Sequence, residues 1–86
     1  MNEVLEENNE ILKSGDTESV AYGKAIANVT EEAKKVFGTH IEEPFVKDNI
    51  GLFLALEEGG QVAEDAWNQI IEKSRDAWLE INNISG

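Results

Sequence analysis

The sequence predicts an all-α protein, and three observations support this. Apolar residues recur at spacings of three and four along nearly the whole chain, as in helices with one buried face. No segment keeps the strict apolar and polar alternation of a half-buried strand. Several glycines and the single proline fall between the periodic segments, where helices end or begin. We therefore predict one domain, residues 1–86, folded as a compact bundle of three to four helices.

The first helix is predicted over residues 2–13. Its apolar stripe is thin and half of its other positions are glutamates, so alone it would be marginal in water and must dock on the other helices or fray. The stripe consists of Val4, Leu5, Ile11 and Leu12.

The second helix is predicted over residues 17–37, with Asp16 or Thr17 as its N-cap and Gly38 as its stop. Gly23 lies inside it and costs about 1 kcal/mol relative to alanine. We expect a neighbouring helix to pass close to that glycine.

The third helix is predicted over residues 44–58, with Pro44 at its first position, and it ends at a glycine pair. It has little polar face, so we expect it to be the most buried and central element. Asp48 and Gly51 are points at which it could split into a short turn and a longer helix.

The fourth helix, residues 61–82, has the cleanest periodicity. Trp67 and Trp78 lie about three turns apart on its apolar stripe. Because Ile70 and Ile81 share that stripe, a place in the core is the favoured interpretation. The alternative is a partly exposed docking surface, with Trp78 the more exposed of the two.

Charge is the strongest functional signal. The chain has 18 Asp and Glu against 7 Lys and Arg, a formal net charge of −11 over 86 residues. Such a protein repels phosphate backbones and anionic lipid, which argues against direct binding to nucleic acid or to a membrane. It attracts basic protein surfaces, including those that hold nucleic acid.

The carboxylates concentrate in two stretches that contain no base. A solvated, solubilising face is the simpler interpretation, but the excess of charge is larger than solubility requires. The alternative is a surface that imitates phosphates or meets a basic groove on a partner. With the two tryptophans, the candidate partner-binding residues are Glu3, Glu6, Glu7, Glu10, Glu57, Glu58, Glu64, Asp65, Trp67 and Trp78.

Catalysis and metal binding find no support in the sequence. The chain has no cysteine, and its one histidine, His40, has no metal-ligand spacing around it. No nucleophile elbow, phosphate loop or dinucleotide-binding turn is present. We therefore predict no catalytic residue, no metal and no cofactor, and we expect the protein not to be an enzyme.

The segment MNEVLEENNE has neither the basic nor the apolar region of a secretory signal, and no apolar run approaches the ~18 residues of a spanning helix. We expect a cytoplasmic protein. In size, acidity and helical character the chain resembles small inhibitor, immunity and antitoxin proteins, including phage-encoded proteins that block host enzymes.

Two hypotheses follow for function. In the first, the protein is an acidic regulator or inhibitor that docks on a basic surface of a partner protein, such as a nucleic-acid-binding protein, and acts there as a DNA mimic. In the second, it is an oligomerisation or adaptor module that acts through an apolar, Trp-bearing helix face. Salt separates the two, because it weakens charge-driven association far more than apolar association.

Overall fold

The structure, a computed structural model, describes the backbone of residues 1–82 and the side chains of residues 1–76 and Leu79. In this part of the chain the secondary structure is entirely helical, which confirms the predicted all-α class. The helices are α1 (Asn2–Lys13), α2 (Val20–Phe37), α3 (Glu43–Asp48), α4 (Ile50–Glu58) and α5 (Gly60–Asn82).

Helix α1 docks on the bundle and lies against both α2 and α4. Leu5 and Leu12, seven residues apart on its inner face, are buried in the core. Asn8 is buried beside them, and its Nδ2 donates a hydrogen bond to the Val4 carbonyl at 2.7 Å. This bond removes the penalty that an unpaired buried amide would cause.

The predicted N-cap of the second helix is wrong. Its N-cap is Ser19, and not Asp16 or Thr17. The Ser19 backbone is extended, and its Oγ accepts a hydrogen bond from the Tyr22 amide at 3.0 Å, which satisfies one of the free N–H groups of the first turn. Residues 16–19 form a turn instead of helix, so α2 begins at Val20.

The two glycines of the second predicted helix behave differently. The expected close approach at Gly23 is wrong, since this residue is exposed and an added Cβ would meet nothing within 4 Å. Gly38 ends α2 as predicted. Its φ of 129° is one that residues with a side chain rarely adopt, and the His40 ring occupies the space beside it.

The third predicted helix is divided into α3 and α4 at Asn49. The Asn49 backbone leaves helical geometry, with φ −120° and ψ 26°, while its side chain donates to the Phe45 carbonyl at 2.9 Å. Pro44 is the second residue of α3 and not the first as predicted, but it still lies in the first turn, where its missing N–H costs nothing. The split falls between Asp48 and Gly51, the two residues at which the sequence allows it.

Helix α4 is central, since it packs against α1, α3 and α5. Phe53 is fully buried and meets Phe37 and Phe45 edge to face, with ring centroids 6.2 Å apart in both pairs. Phe37 in turn lies 4.6 Å from the Trp67 ring. A chain of four aromatic rings therefore joins α3, α4, α2 and α5.

Helices α4 and α5 are connected by Gly59 alone, and the positive φ values of Gly59 (74°) and Gly60 (60°) allow this tight reversal. Helix α5 has 23 residues and α4 has nine, so the second half of α5 extends beyond α4. In the described part of the chain, no helix is long and apolar enough to cross a membrane.

Candidate functional site

The outward side of α1 consists of glutamates. At about 100° per residue, Glu3, Glu6, Glu7 and Glu10 fall within an arc of about 100° on this helix. All four side chains are exposed, and they lie away from the buried Leu5 and Leu12. Because α1 packs between α2 and α4, this arc is bordered by both helices.

On the α4 side, the arc is extended by Glu57. The Asn9 Nδ2 donates to both carboxylate oxygens of Glu57, at 2.8 and 2.9 Å. Asn9 is a neutral residue that faces α4, about 60° round α1 from the nearest glutamate of the arc. Asn9 therefore holds the Glu57 carboxylate beside α1, although the α1 glutamates repel that carboxylate.

On the α2 side, the arc is extended by Glu31 and Glu32. These residues line an open, polar groove together with Glu7, Asn28 and Lys35. Lys35, which lines the same groove, pairs with Glu32 at 3.5 Å. We call the whole surface the acidic face, and it consists of Glu3, Glu6, Glu7, Glu10, Glu31, Glu32 and Glu57.

The sequence does not predict that Glu31 and Glu32 belong to this surface. They lie in a helix with lysines nearby, at Lys34 and Lys35, so the local charge is balanced. Only the packing of α2 against α1 reveals their position. The sequence has no local pattern for this, because Glu31 and Glu32 are 20 or more residues away from the α1 glutamates that they lie beside.

The second predicted acidic stretch is not kept together. Glu57 joins the acidic face, whereas Glu58 is exposed at the end of α4. Glu64 borders a hollow that also includes Met1 and Asn2, so it lies near the first turn of α1. Asp65 is about 100° further round α5, where it accepts a hydrogen bond from Gln61 at 2.9 Å.

Trp67 lies at the margin of the core. It packs on Phe37, yet 39% of its surface is exposed. Neither a fully buried nor a free docking tryptophan describes it, because one side of the ring is packed and the other is open. Trp78 lies outside the described side chains.

The described carboxylates do not form a metal site. No group of three or more His, Asp or Glu residues in the described part of the chain is arranged to hold a metal ion. The groove beside Glu7 is open to solvent. What these carboxylates can do is attract and orient a cationic surface.

Comparisons with protein-family models, with curated proteins and with solved structures give no match to this chain. The fold and the surface define it as a small acidic helical bundle.

Proposed function

We propose that this protein is a cytoplasmic regulator or inhibitor that acts by binding and not by catalysis. Its acidic face docks on a basic surface of a partner protein that otherwise holds nucleic acid. The observation that carries this proposal is the convergence of carboxylates from α1, α2 and α4 on one surface, with Glu57 held there by Asn9.

The charge spacing supports mimicry of nucleic acid. Glu3 and Glu10 are separated by about 10 Å along the α1 axis, and four carboxylates lie within that rise. This corresponds to about one charge per 3 Å, against ~1.7 Å for duplex DNA. Glu31 and Glu57 on either side raise the charge density further, whereas the charge of Glu32 is offset by Lys35.

The cost of the arrangement also supports a binding role. Glu3 and Glu7, like Glu6 and Glu10, are like-charged pairs at i,i+4, and such pairs destabilise a helix by a few tenths of a kcal/mol. The Lys35 to Glu32 contact is the single ion pair among the described side chains. A bundle selected for stability alone would have more oppositely charged pairs on this surface.

Affinity capture from a lysate of the native host, with three immobilised proteins, tests the proposal. These are the wild type, an acidic-face variant with Glu3, Glu6, Glu7 and Glu10 changed to Lys, and a control variant with Asp16, Glu18, Glu42 and Glu43 changed to Lys. Both variants change the net charge equally, from −11 to −3 (−11 + 8). All eight side chains are exposed.

The partner should be retained by the wild type and the control variant and lost from the acidic-face variant. Double-stranded nucleic acid should then displace the protein from that partner. Equal capture by both variants, or binding that nucleic acid does not affect, would contradict the proposal.

The second candidate function, an apolar Trp-bearing face, has one observation in its favour, the open side of Trp67. Leu79 lies near the same side of α5, but about 18 Å further along the helix, and the other large exposed apolar residues do not extend the open side of Trp67 into a broad patch. Val20 and Val36 lie on α2, and Val62 is about 140° from Trp67 around α5.

A further inference from the structure

One side of α5 has a pattern that the acidic face does not explain. Six residues, at spacings of three or four, lie within an arc of about 120° on this helix. Trp67 and Leu79 are 39% and 48% exposed, and Ile71 between them is half-buried. We call this surface the α5 stripe, and it consists of Glu64, Trp67, Asn68, Ile71, Arg75 and Leu79.

The stripe contains two opposite charges. Glu64 and Arg75 are eleven residues apart, which turns them to within about 20° of each other on an ideal helix. Both are exposed, and neither has an ion-pair partner among the described side chains. The midpoint between them lies between Gln69 and Ile70, close to the midpoint between Trp67 and Ile71.

A helix with this pattern is complementary to itself when it runs antiparallel. A two-fold axis at the midpoint places Glu64 opposite Arg75 of a second copy, and the reverse pair follows by symmetry. The same axis brings Trp67 to within about 1.5 Å of the level of the second copy's Ile71. The charged pair and the apolar pair Trp67 and Ile71 therefore match in one arrangement.

The surface beside the stripe has room for the tryptophan. Phe37 and His40 form one wall of an open hollow of about 360 Å³, and Ile71, Ser74, Arg75 and Leu79 form the other. In the antiparallel arrangement this hollow faces the part of the second copy that includes Trp67. The open side of that ring then gains an apolar environment.

We propose that the protein associates with a second copy of itself through antiparallel contact of the α5 stripes, stabilised by reciprocal Glu64 to Arg75 pairs around Trp67. The acidic face remains free in this dimer, because it lies on α1, α2 and the end of α4. This second surface is independent of the docking function proposed above.

The dimer is weak and its salt dependence is distinctive. A stripe about 22 Å long and about 10 Å wide buries less than the ~1,200 Å² of total surface found in stable complexes, so association depends on concentration. Salt weakens the exposed Glu64 to Arg75 pairs, but it also screens the repulsion between two chains of net charge −11, which is the larger electrostatic effect. Self-association therefore strengthens with salt, whereas docking on a basic partner weakens.

Analytical ultracentrifugation from ~10 µM to ~1 mM protein, at ~0.15 and ~0.5 M NaCl, tests the proposal. The wild type should show an increasing dimer fraction with both concentration and salt. At ~0.15 M NaCl, Arg75→Glu and Glu64→Arg should each weaken the dimer at least threefold. The control Lys73→Glu has the same charge change as Arg75→Glu but lies about 160° away around α5. It adds the same repulsion between the two copies without removing the Glu64 to Arg75 pair, so it should weaken the dimer less than Arg75→Glu does.

Mixing the two variants gives the sharpest result. Glu64→Arg has two arginines in the stripe and Arg75→Glu has two glutamates, so a 1:1 mixture should form a heterodimer more readily than either variant forms a homodimer. A wild type that stays monomeric at ~1 mM in both salts would overturn the proposal. A dimer that neither variant weakens, or a mixture without heterodimer, would overturn the antiparallel arrangement.

Discussion

Asn9 donates hydrogen bonds to both carboxylate oxygens of Glu57, at 2.8 and 2.9 Å, and this contact joins α1 to the end of α4. The Asn9 amide is a neutral hydrogen-bond donor next to a surface of negative charges. Glu57 is half-buried, so its carboxylate has lost part of its hydration and depends on this amide. The same bond therefore supports the packing of α1 and the charge density of the acidic face.

We expect Asn9→Ala to lower the free energy of unfolding by about 1 to 2 kcal/mol relative to Asn28→Ala, because a hydrogen bond to a carboxylate is lost. Asn28→Ala is the matched control. It has the same gain in helix propensity, and Asn28 is exposed on α2. Urea denaturation of both variants measures the difference. Equal stability of the two variants would mean that the contact contributes nothing.

We expect Phe53→Ala to cost about 3 to 5 kcal/mol, because Phe53 is fully buried and contacts the rings of Phe37 and Phe45. Val20→Ala, at a side chain that is 74% exposed, should change stability by less than about 0.5 kcal/mol. If Phe53→Ala is too unstable to purify, Phe53→Leu should show an intermediate loss in thermal denaturation. A Phe53→Ala protein that melts within a degree or two of the wild type would show that α4 is not the centre of the core.

We expect Glu7→Gln to raise the melting temperature by about 1 to 3 °C at low salt. Glu7 repels Glu3 and Glu10 within α1, and it borders a groove with Glu31 and Glu32. The gain should disappear at high salt, where these repulsions are screened. Glu18→Gln, in the turn before α2, should show no such gain. A Glu7→Gln variant that is less stable than the wild type at low salt would mean that the glutamates of the acidic face do not repel.

In a Trp78→Phe background, the fluorescence of Trp67 should be quenched by acrylamide less than that of free tryptophan but more than that of a buried residue. The reason is that Phe37 covers one side of the ring while 39% of the surface is open. The measurement belongs at ~10 µM, where self-association is negligible. Complete protection would place Trp67 in the core, and full accessibility would exclude the packing on Phe37.

The residues of the sequence predict most of the fold and only part of the surface. Periodicity predicts each helical region, and Gly38 and the glycine pair at 59 and 60 mark ends that the structure also has. The start of α2 is less predictable because Asp16, Thr17 and Ser19 can all act as N-caps, and the choice of Ser19, whose Oγ accepts from the amide of the buried Tyr22, depends on the tertiary fold.

The acidic face is predictable on α1, where the glutamates share one helix face in the sequence itself. Its extension to Glu31, Glu32 and Glu57 depends on which helices lie beside α1, and that is a property of the tertiary fold. For the same reason Glu58 and Asp65, adjacent to other acids in the sequence, do not join it. Neighbours in sequence at the end of a helix point in different directions.

The central claim is that the acidic face, and not net charge alone, guides docking. The most direct measurement is the association rate constant with the captured partner, by stopped flow, from ~0.05 to ~0.5 M NaCl. The variant with Lys at 3, 6, 7 and 10 should associate at least tenfold more slowly than the control variant with Lys at 16, 18, 42 and 43, and its rate should depend less on salt. Equal rates for the two variants, or a wild-type rate that salt does not change, would contradict the account.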